Sequence, residues 1–207
     1  MSKKTGNKTA RPAKTASADS SKRDSIKPDP GKPFLTDVKT LRARARQHID
    51  KGAVTEGYRG DRDTVLKLLN EALATEIVCV LRYRYHHFVA SGIHADAVAT
   101  EFMVHSTEEQ AHADLIAQRI VQLNGEPNMD PAGLTSRSHS EYVKGKDLRD
   151  MIKENLVAER IAIDSYKEMI AYIGDKDTTT KRMLEGILAV EEEHADELSD
   201  WLDGEWG

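Results

Sequence analysis

Six residues of this 207-residue chain have the types and spacing to hold metal ions: Glu76, Glu109, His112, Glu159, Glu191 and His194. Glu109-x-x-His112 and Glu191-x-x-His194 each place a carboxylate and an imidazole one helical turn apart on one face, where both reach one point. Glu76 and Glu109 are centred on the Gly92 turn, and Glu159 and Glu191 on the Gly174-Asp175 turn. In an antiparallel hairpin, residues equidistant from the bend face each other, here roughly 24 Å from it at about 1.5 Å per residue. One Glu-x-x-His is unremarkable surface charge. Two copies, each preceded by a Glu at matched height, are not. Four carboxylates and two neutral imidazoles carry −4, which two divalent cations neutralise. That donor set suits a di-iron or di-manganese carboxylate site inside a helical bundle.

The elements that must position these groups follow from apolar spacing. Leu66, Leu69, Leu73, Val80 and Tyr83 form a stripe that includes Glu76, and Val98, Phe102, Ile116 and Leu123 form one that includes Glu109 and His112. Ile152, Leu156, Ile163, Tyr166 and Ile170 run with Glu159, and Leu184, Ile187, Leu198 and Trp201 run with Glu191 and His194. Steps of three and four aim all six polar groups at the core, where a buried carboxylate without a partner costs several kcal/mol or more. The pattern predicts helices over about 61–90, 94–123, 147–173 and 178–203, with Gly92 and Gly174 at the short turns and Gly125-Glu126-Pro127 ending the second helix. Short link, long link, short link is the connectivity of an all-α four-helix bundle with one crossover. A shorter helix is expected over 37–50, stopped at Gly52.

Composition narrows the function classes. No apolar run exceeds five residues, Ile77 to Leu81 among the longest, which is too short to span a bilayer, and no signal-peptide pattern is seen, so the expectation is a cytoplasmic protein with no membrane partner. The single Cys79 excludes an intrachain disulfide and any CxxC site. A net charge of −5 conceals an asymmetry. Residues 1–35 hold nine basic against three acidic side chains, leaving −11 on the rest. That segment is too poor in large apolar residues to offset its ordering entropy, so the expected organisation is a disordered basic tail (1–35), a short helix and linker (36–60) and a bundle (61–207). A basic arm of this kind can contact nucleic acid phosphates.

Residues 61–203 resemble the ferritin-like superfamily, and most resemble bacterioferritins and related mini-ferritins. LNEALATEIVCVLRYRYHH is similar to the family's first helix, EEQAHADLIAQRIVQLNGEPN to the second, NLVAERIAIDSYKEM to the third and EGILAVEEEHADELSDWL to the fourth. The resemblance implies Glu76 and Glu159 as terminal ligands, Glu109 and Glu191 as bridging ligands, His112 and His194 as terminal ligands, and Tyr83 as a tyrosine beside the site. It implies a ferroxidase that stores or detoxifies iron, oxidising Fe(II) with O2 or H2O2 at two iron ions per subunit, with manganese or zinc as substitutes. Gln110 stands where bacterioferritins carry the haem-ligating Met, which argues against haem. The chain stops at Gly207 without the fifth helix of larger cages, which favours a homo-oligomer of 12 subunits over 24. The tail and the helix at 37–50 resemble DNA-protecting Dps-like mini-ferritins, although those place their iron site between subunits.

Two rivals stand beside this expectation: a manganese catalase or di-iron oxidase without storage, on the same fold, and a DNA-binding protective protein that acts through residues 1–35. A rubrerythrin-type peroxidase is disfavoured, since one cysteine cannot supply its second iron site. His86, His87, His94 and His105 are candidates for iron entry or for supporting the site, His105 foremost because it sits one turn before Glu109. Cys79 reads as a small buried hydrophobe, and Trp201 and Trp206 as packing residues of the core or of a subunit contact.

Overall fold

The structure is a computed structural model that describes residues 36–93 and 95–204. The tail expected over 1–35, His94, Trp206 and the chain end at Gly207 lie outside the described residues. In chain order the helices are α1 (Val38–Arg44), α2 (Arg62–Val89), α3 (Ala95–Gln122), α4 (Leu134–Arg137), α5 (Leu148–Ile173) and α6 (Thr178–Asp203). The long four form an all-helical, ferritin-like bundle of two hairpins, α2 on α3 and α5 on α6, joined by one crossover. Among the described residues no helix is long and apolar enough to cross a membrane.

Local chemistry accounts for the helix ends. Asp61, Asp147 and Asp177 cap α2, α5 and α6, each accepting a hydrogen bond from the backbone N–H three residues on. At the end of α3 the left-handed position is taken by Asn124 (φ 58°) rather than by Gly125. Asn124 N–H donates to Val121 O and Gly125 N–H to Ile120 O, both at 2.9 Å, the paired bonds of a Schellman cap. Gly125 leaves room for a neighbour: a Cβ there would meet the Leu66 methyls and force that side chain to shift.

The helix expected over 37–50 is shorter than its spacing suggested. Asp37 caps it through Thr40 N–H at 3.0 Å, but α1 ends at Arg44, and only a 3-10 turn follows at Ile49–Lys51. None of the seven α1 residues is buried, so nothing extends it beyond what local propensity supports. The crossover contains a 3-10 turn at Pro131–Gly133 and then α4. Leu134 packs on Ala74 and Val78 of α2, and His139 N–H donates to Thr75 Oγ1 at 2.9 Å. Further along, the Arg82 guanidinium donates to Glu141 O and Asn155 Oδ1, both at 2.9 Å. α2 is therefore covered by the bundle on one side and by the crossover on the other, and it buries the run Ala72 to Glu76 without a break.

Two apolar clusters fill the interior. One holds Val65, Leu69, Leu73, Ile116, Ile120, Ile173, Leu184 and Ile187. The other holds Cys79, Tyr83, Val98, Phe102, Ile152 and Leu198, with Trp201 packed against it. Along every long helix the Glu and His positions fall between them.

Candidate metal centre

All six candidate residues are buried, none more than 5% exposed. They meet as two overlapping groups, Glu76, Glu109, His112 and Glu191 in one and Glu109, Glu159, Glu191 and His194 in the other, with the donor atoms of each group within 4.8 Å of one another. Glu109 and Glu191 belong to both, and their oxygens divide between the two histidines. His112 Nδ1 is 3.1 Å from Glu191 Oε1 and 3.8 Å from Glu109 Oε2. His194 Nδ1 is 3.7 Å from Glu191 Oε2 and 3.8 Å from Glu109 Oε1. Glu76 Oε2 lies 3.5 Å from His112 Nδ1, and Glu159 Oε2 lies 3.9 Å from His194 Nδ1. The result is two adjacent points, each ringed by three carboxylates and one imidazole, with two carboxylates common to both.

Whether these residues suit a pair of cations can be judged from their hydrogen bonding. Glu76 Oε2, Glu109 Oε1, His112 Nδ1, Glu159 Oε2, both Glu191 oxygens and His194 Nδ1 are all buried without a hydrogen-bond partner. An unsatisfied buried polar group costs about 1–3 kcal/mol, and seven converge on one spot. The outward atoms of the same side chains are tied down. Tyr83 OH donates to Glu159 Oε1, and Tyr166 OH donates to Glu76 Oε1. His194 Nε2 sits 2.7 Å from Glu108 Oε2. Donation of Nε2–H to that carboxylate leaves the Nδ1 lone pair facing inward, the arrangement that orients metal-binding histidines. The residues fit two cations.

Electrostatics point the same way. Burial pushes the Glu109 carboxyl well above the carboxylate range, reinforced by repulsion from Glu191, Glu76 and Glu159. Burial and Glu191 raise Glu159 to about 8, and burial and Glu76 raise Glu191. Glu76 alone of the four is held below its usual value: burial would raise it, but the adjoining Glu109 and His112 and the Tyr166 hydroxyl prevail. Burial would lower His112, yet Glu191 and Glu76 beside it lift it to about 10. At neutral pH this core holds protons where cations would otherwise balance its charge.

Tyr83 stands beside the centre as expected, and spacing did not single out its counterpart Tyr166. Both tyrosines lie seven residues after the Glu of their own hairpin, at 76 and 159, and each reaches across to the Glu of the other hairpin. That repeated offset is a signal the sequence carries. His105 also adjoins the centre, stacked on the His194 ring at 4.0 Å. His86 and His87 serve elsewhere: His86 bonds Asn155 and the crossover carbonyls of Val143 and Lys144, and His87 bonds Ala99 O. Cys79 is buried, and burial pushes its thiol up, so it is not a reactive group. Gln110 is exposed and donates to Asp114.

Comparison with known proteins agrees with this architecture. A family model described as a ferritin-like domain matches residues 66–204. The bacterioferritin of Mycobacterium bovis is 33% identical over 146 residues, spanning 70% of this chain and 87% of that protein. The bacterioferritin-related protein of Bacteroides fragilis, a dodecameric thioferritin, is 34% identical with a TM-score of 0.67, over 70% of this chain and 87% of that one. Dps from Thermosynechococcus elongatus has the same TM-score at 22% identity, over 70% and 96%, a likeness of fold. With a bundle of this connectivity and the family model matched over residues 66–204, two thirds of its length, the chain belongs to the ferritin-like domain family.

Proposed function

We propose that the protein is a ferroxidase that takes Fe(II) as substrate at this centre, in the service of iron storage or detoxification. The observation that carries the reading is the division of the Glu109 and Glu191 oxygens between His112 and His194. Glu76 and His112 would hold one ion, Glu159 and His194 the other, and Glu109 and Glu191 would bridge them. Iron, with its preference for mixed oxygen and imidazole donors, suits this set, and manganese or zinc are its substitutes. Two ferrous ions supply two electrons together: O2 with two protons becomes H2O2, or H2O2 with two protons becomes two waters. Pairing the ions avoids one-electron reduction of the oxidant.

The chain's own groups orient and insulate. The hydroxyls of Tyr83 and Tyr166 fix Glu159 and Glu76 so that one oxygen of each faces inward. The apolar clusters on either side exclude water, which strengthens every charge interaction between them. Protons held on Glu109, Glu159 and His112 must leave as cations enter.

A hollow assembly of twelve chains is the oligomer we favour, because the 34% identical relative from Bacteroides fragilis is dodecameric. The basic segment 1–35 remains the basis for a DNA contact. The test is anaerobic Fe(II) titration of the chelator-stripped protein together with mass measurement of the assembly. Two irons per chain bound at this centre, lost on Glu109→Ala, with oxidation on admitting O2, is the expected result. No Fe(II) binding by the intact protein would sink the reading, and a stable dimer would remove storage.

A further inference from the structure

Beyond the dinuclear centre, one more group of metal-ligating side chains comes together among the described residues: Glu101 and His105 of α3 with Glu197 of α6. Their donor atoms lie within 4.8 Å of one another. His105 Nε2 is 2.8 Å from Glu197 Oε2 and 3.5 Å from Glu101 Oε1. The imidazole is sealed from solvent, whereas the Glu101 and Glu197 side chains are 31% and 42% exposed. The group is thus closed on its histidine side and open on its carboxylate side.

A plain ion pair, with His105 Nε2–H donating to Glu197, is the ordinary account of a histidine between two carboxylates, and the same geometry gives a metal ion a place to take over from that proton. The Tyr83 hydroxyl has one proton, which it donates to Glu159 Oε1. His105 Nδ1 lies 3.2 Å from the same hydroxyl oxygen. An oxygen whose proton is committed can only accept, so Nδ1 must carry the hydrogen of that bond. With Nδ1–H committed to Tyr83, Nε2 is the His105 atom that faces the two carboxylates, where a proton or a metal ion joins it to them. The group is matched to a divalent cation in ligand type, spacing and charge: two carboxylates with one neutral imidazole carry the −2 that such an ion neutralises.

We propose that Glu101, His105 and Glu197 form a third divalent-cation site, a station from which metal passes to and from the dinuclear centre. The Nδ1–H assignment and the role of a station both rest on the dinuclear reading, in which Glu159 is an ionised ligand. The position supports the role. The His105 ring stacks on the ring of His194 at 4.0 Å between centroids and 21° between planes. His194 Nε2 in turn meets Glu108, whose side chain is 46% exposed. Glu101, Glu197 and Glu108 therefore bring carboxylates from solvent up to the two stacked imidazoles, the inner of which faces the centre. The donors are those of a borderline divalent ion such as Fe(II), Co(II) or Zn(II).

The experiment is Co(II) titration of the full-length, chelator-stripped protein, read by calorimetry and visible absorption at one pH and ionic strength. Expected are three Co(II) per chain for the wild type and two for the Glu101→Gln/Glu197→Gln double variant, both of whose changes lie at partly exposed positions. Glu191→Ala should keep the outer ion while losing tight inner binding by at least tenfold. Two Co(II) in both wild type and double variant would overturn the third site and leave the dinuclear reading standing. Three in both would also overturn it, since the carboxylates would then not be ligands. No Co(II) bound by the wild type would remove both readings together.

Discussion

Glu191 offers a direct test of whether the bundle centre is built around cations. Its side chain is buried completely, and neither carboxylate oxygen has a hydrogen-bond partner. At about 1–3 kcal/mol for each unsatisfied buried group, the two oxygens destabilise the stripped fold by about 2–6 kcal/mol. Methionine has nearly the same length and no strongly polar atom, so Glu191→Met removes that cost without opening a large cavity. His112 is not stranded, because Glu76 remains 3.5 Å and Glu109 3.8 Å from its Nδ1. The chelator-stripped variant should therefore be more stable than the stripped wild type, by about 1–3 kcal/mol once imperfect packing and the loss of the His112 contact at 3.1 Å are allowed for. With excess Zn(II) the order reverses. A ligand at a thousand times its Kd adds about 4 kcal/mol to the wild type, whereas the variant lacks a donor common to both ions and gains far less. Urea denaturation followed by far-UV circular dichroism reads both comparisons, at one protein concentration because assembly couples to folding. A stripped variant less stable than the stripped wild type would mean that the protein itself satisfies Glu191, and the reasoning would fail.

The pH dependence of the stripped protein should run opposite to that of an ordinary ion-paired protein. Glu159 sits at about 8 when folded against an ordinary 4.5, so the folded state keeps a proton that the unfolded state has lost. Its contribution is complete below about pH 4.5 and fades as pH rises through 8. His112, lifted to about 10 from 6.5, extends the loss into the alkaline range. Urea midpoints of the stripped protein should fall steadily from pH 5 to pH 9, and a rise over that range would contradict the assigned protonation. Tyr83→Phe and Tyr166→Phe each free one ligand carboxylate from its tether. Zn(II) affinity should drop by about 10–100-fold in each variant and by a similar factor in both, measured by competition with a chromophoric chelator. An unchanged affinity in either would show that the tether does not orient its Glu.

What spacing could reveal and what it could not divide along one physical line. Helical periodicity reports which face of a segment is buried, so the steps of three and four anticipated four long helices, and the turns at Gly92 and Gly174 paired them into hairpins. Because both hairpins repeat one plan, matched distances from the turn also anticipated that Glu76 would meet Glu109, and Glu159 would meet Glu191. Periodicity says nothing about which side chain of one hairpin reaches which side chain of the other. Tyr166 therefore passed as an apolar stripe residue, although its hydroxyl holds Glu76. Glu197 lies 92 residues from His105 and meets it only through the contact of α3 with α6. The same blindness hid Arg82, whose charge reads as solvent-facing in a helix but is buried against Asn155 and the crossover carbonyl of Glu141. It hid Asp177 as well, which caps α6 and also binds Arg119 at 2.8 Å and Tyr58 at 3.2 Å. There burial alone would raise the carboxyl, and the Thr180 and Arg119 bonds hold it low. The tyrosines show how part of this gap can be closed from sequence. A residue type that recurs at the same offset from the same ligand in both halves of a repeated hairpin is constrained by the repeat, and the offset of seven from Glu76 and Glu159 marks Tyr83 and Tyr166 together. His105 has no such twin, since the position seven before His112 is His105 but the position seven before His194 is Ile187. That asymmetry puts an additional imidazole on the His194 side of the centre alone, where the third site is proposed.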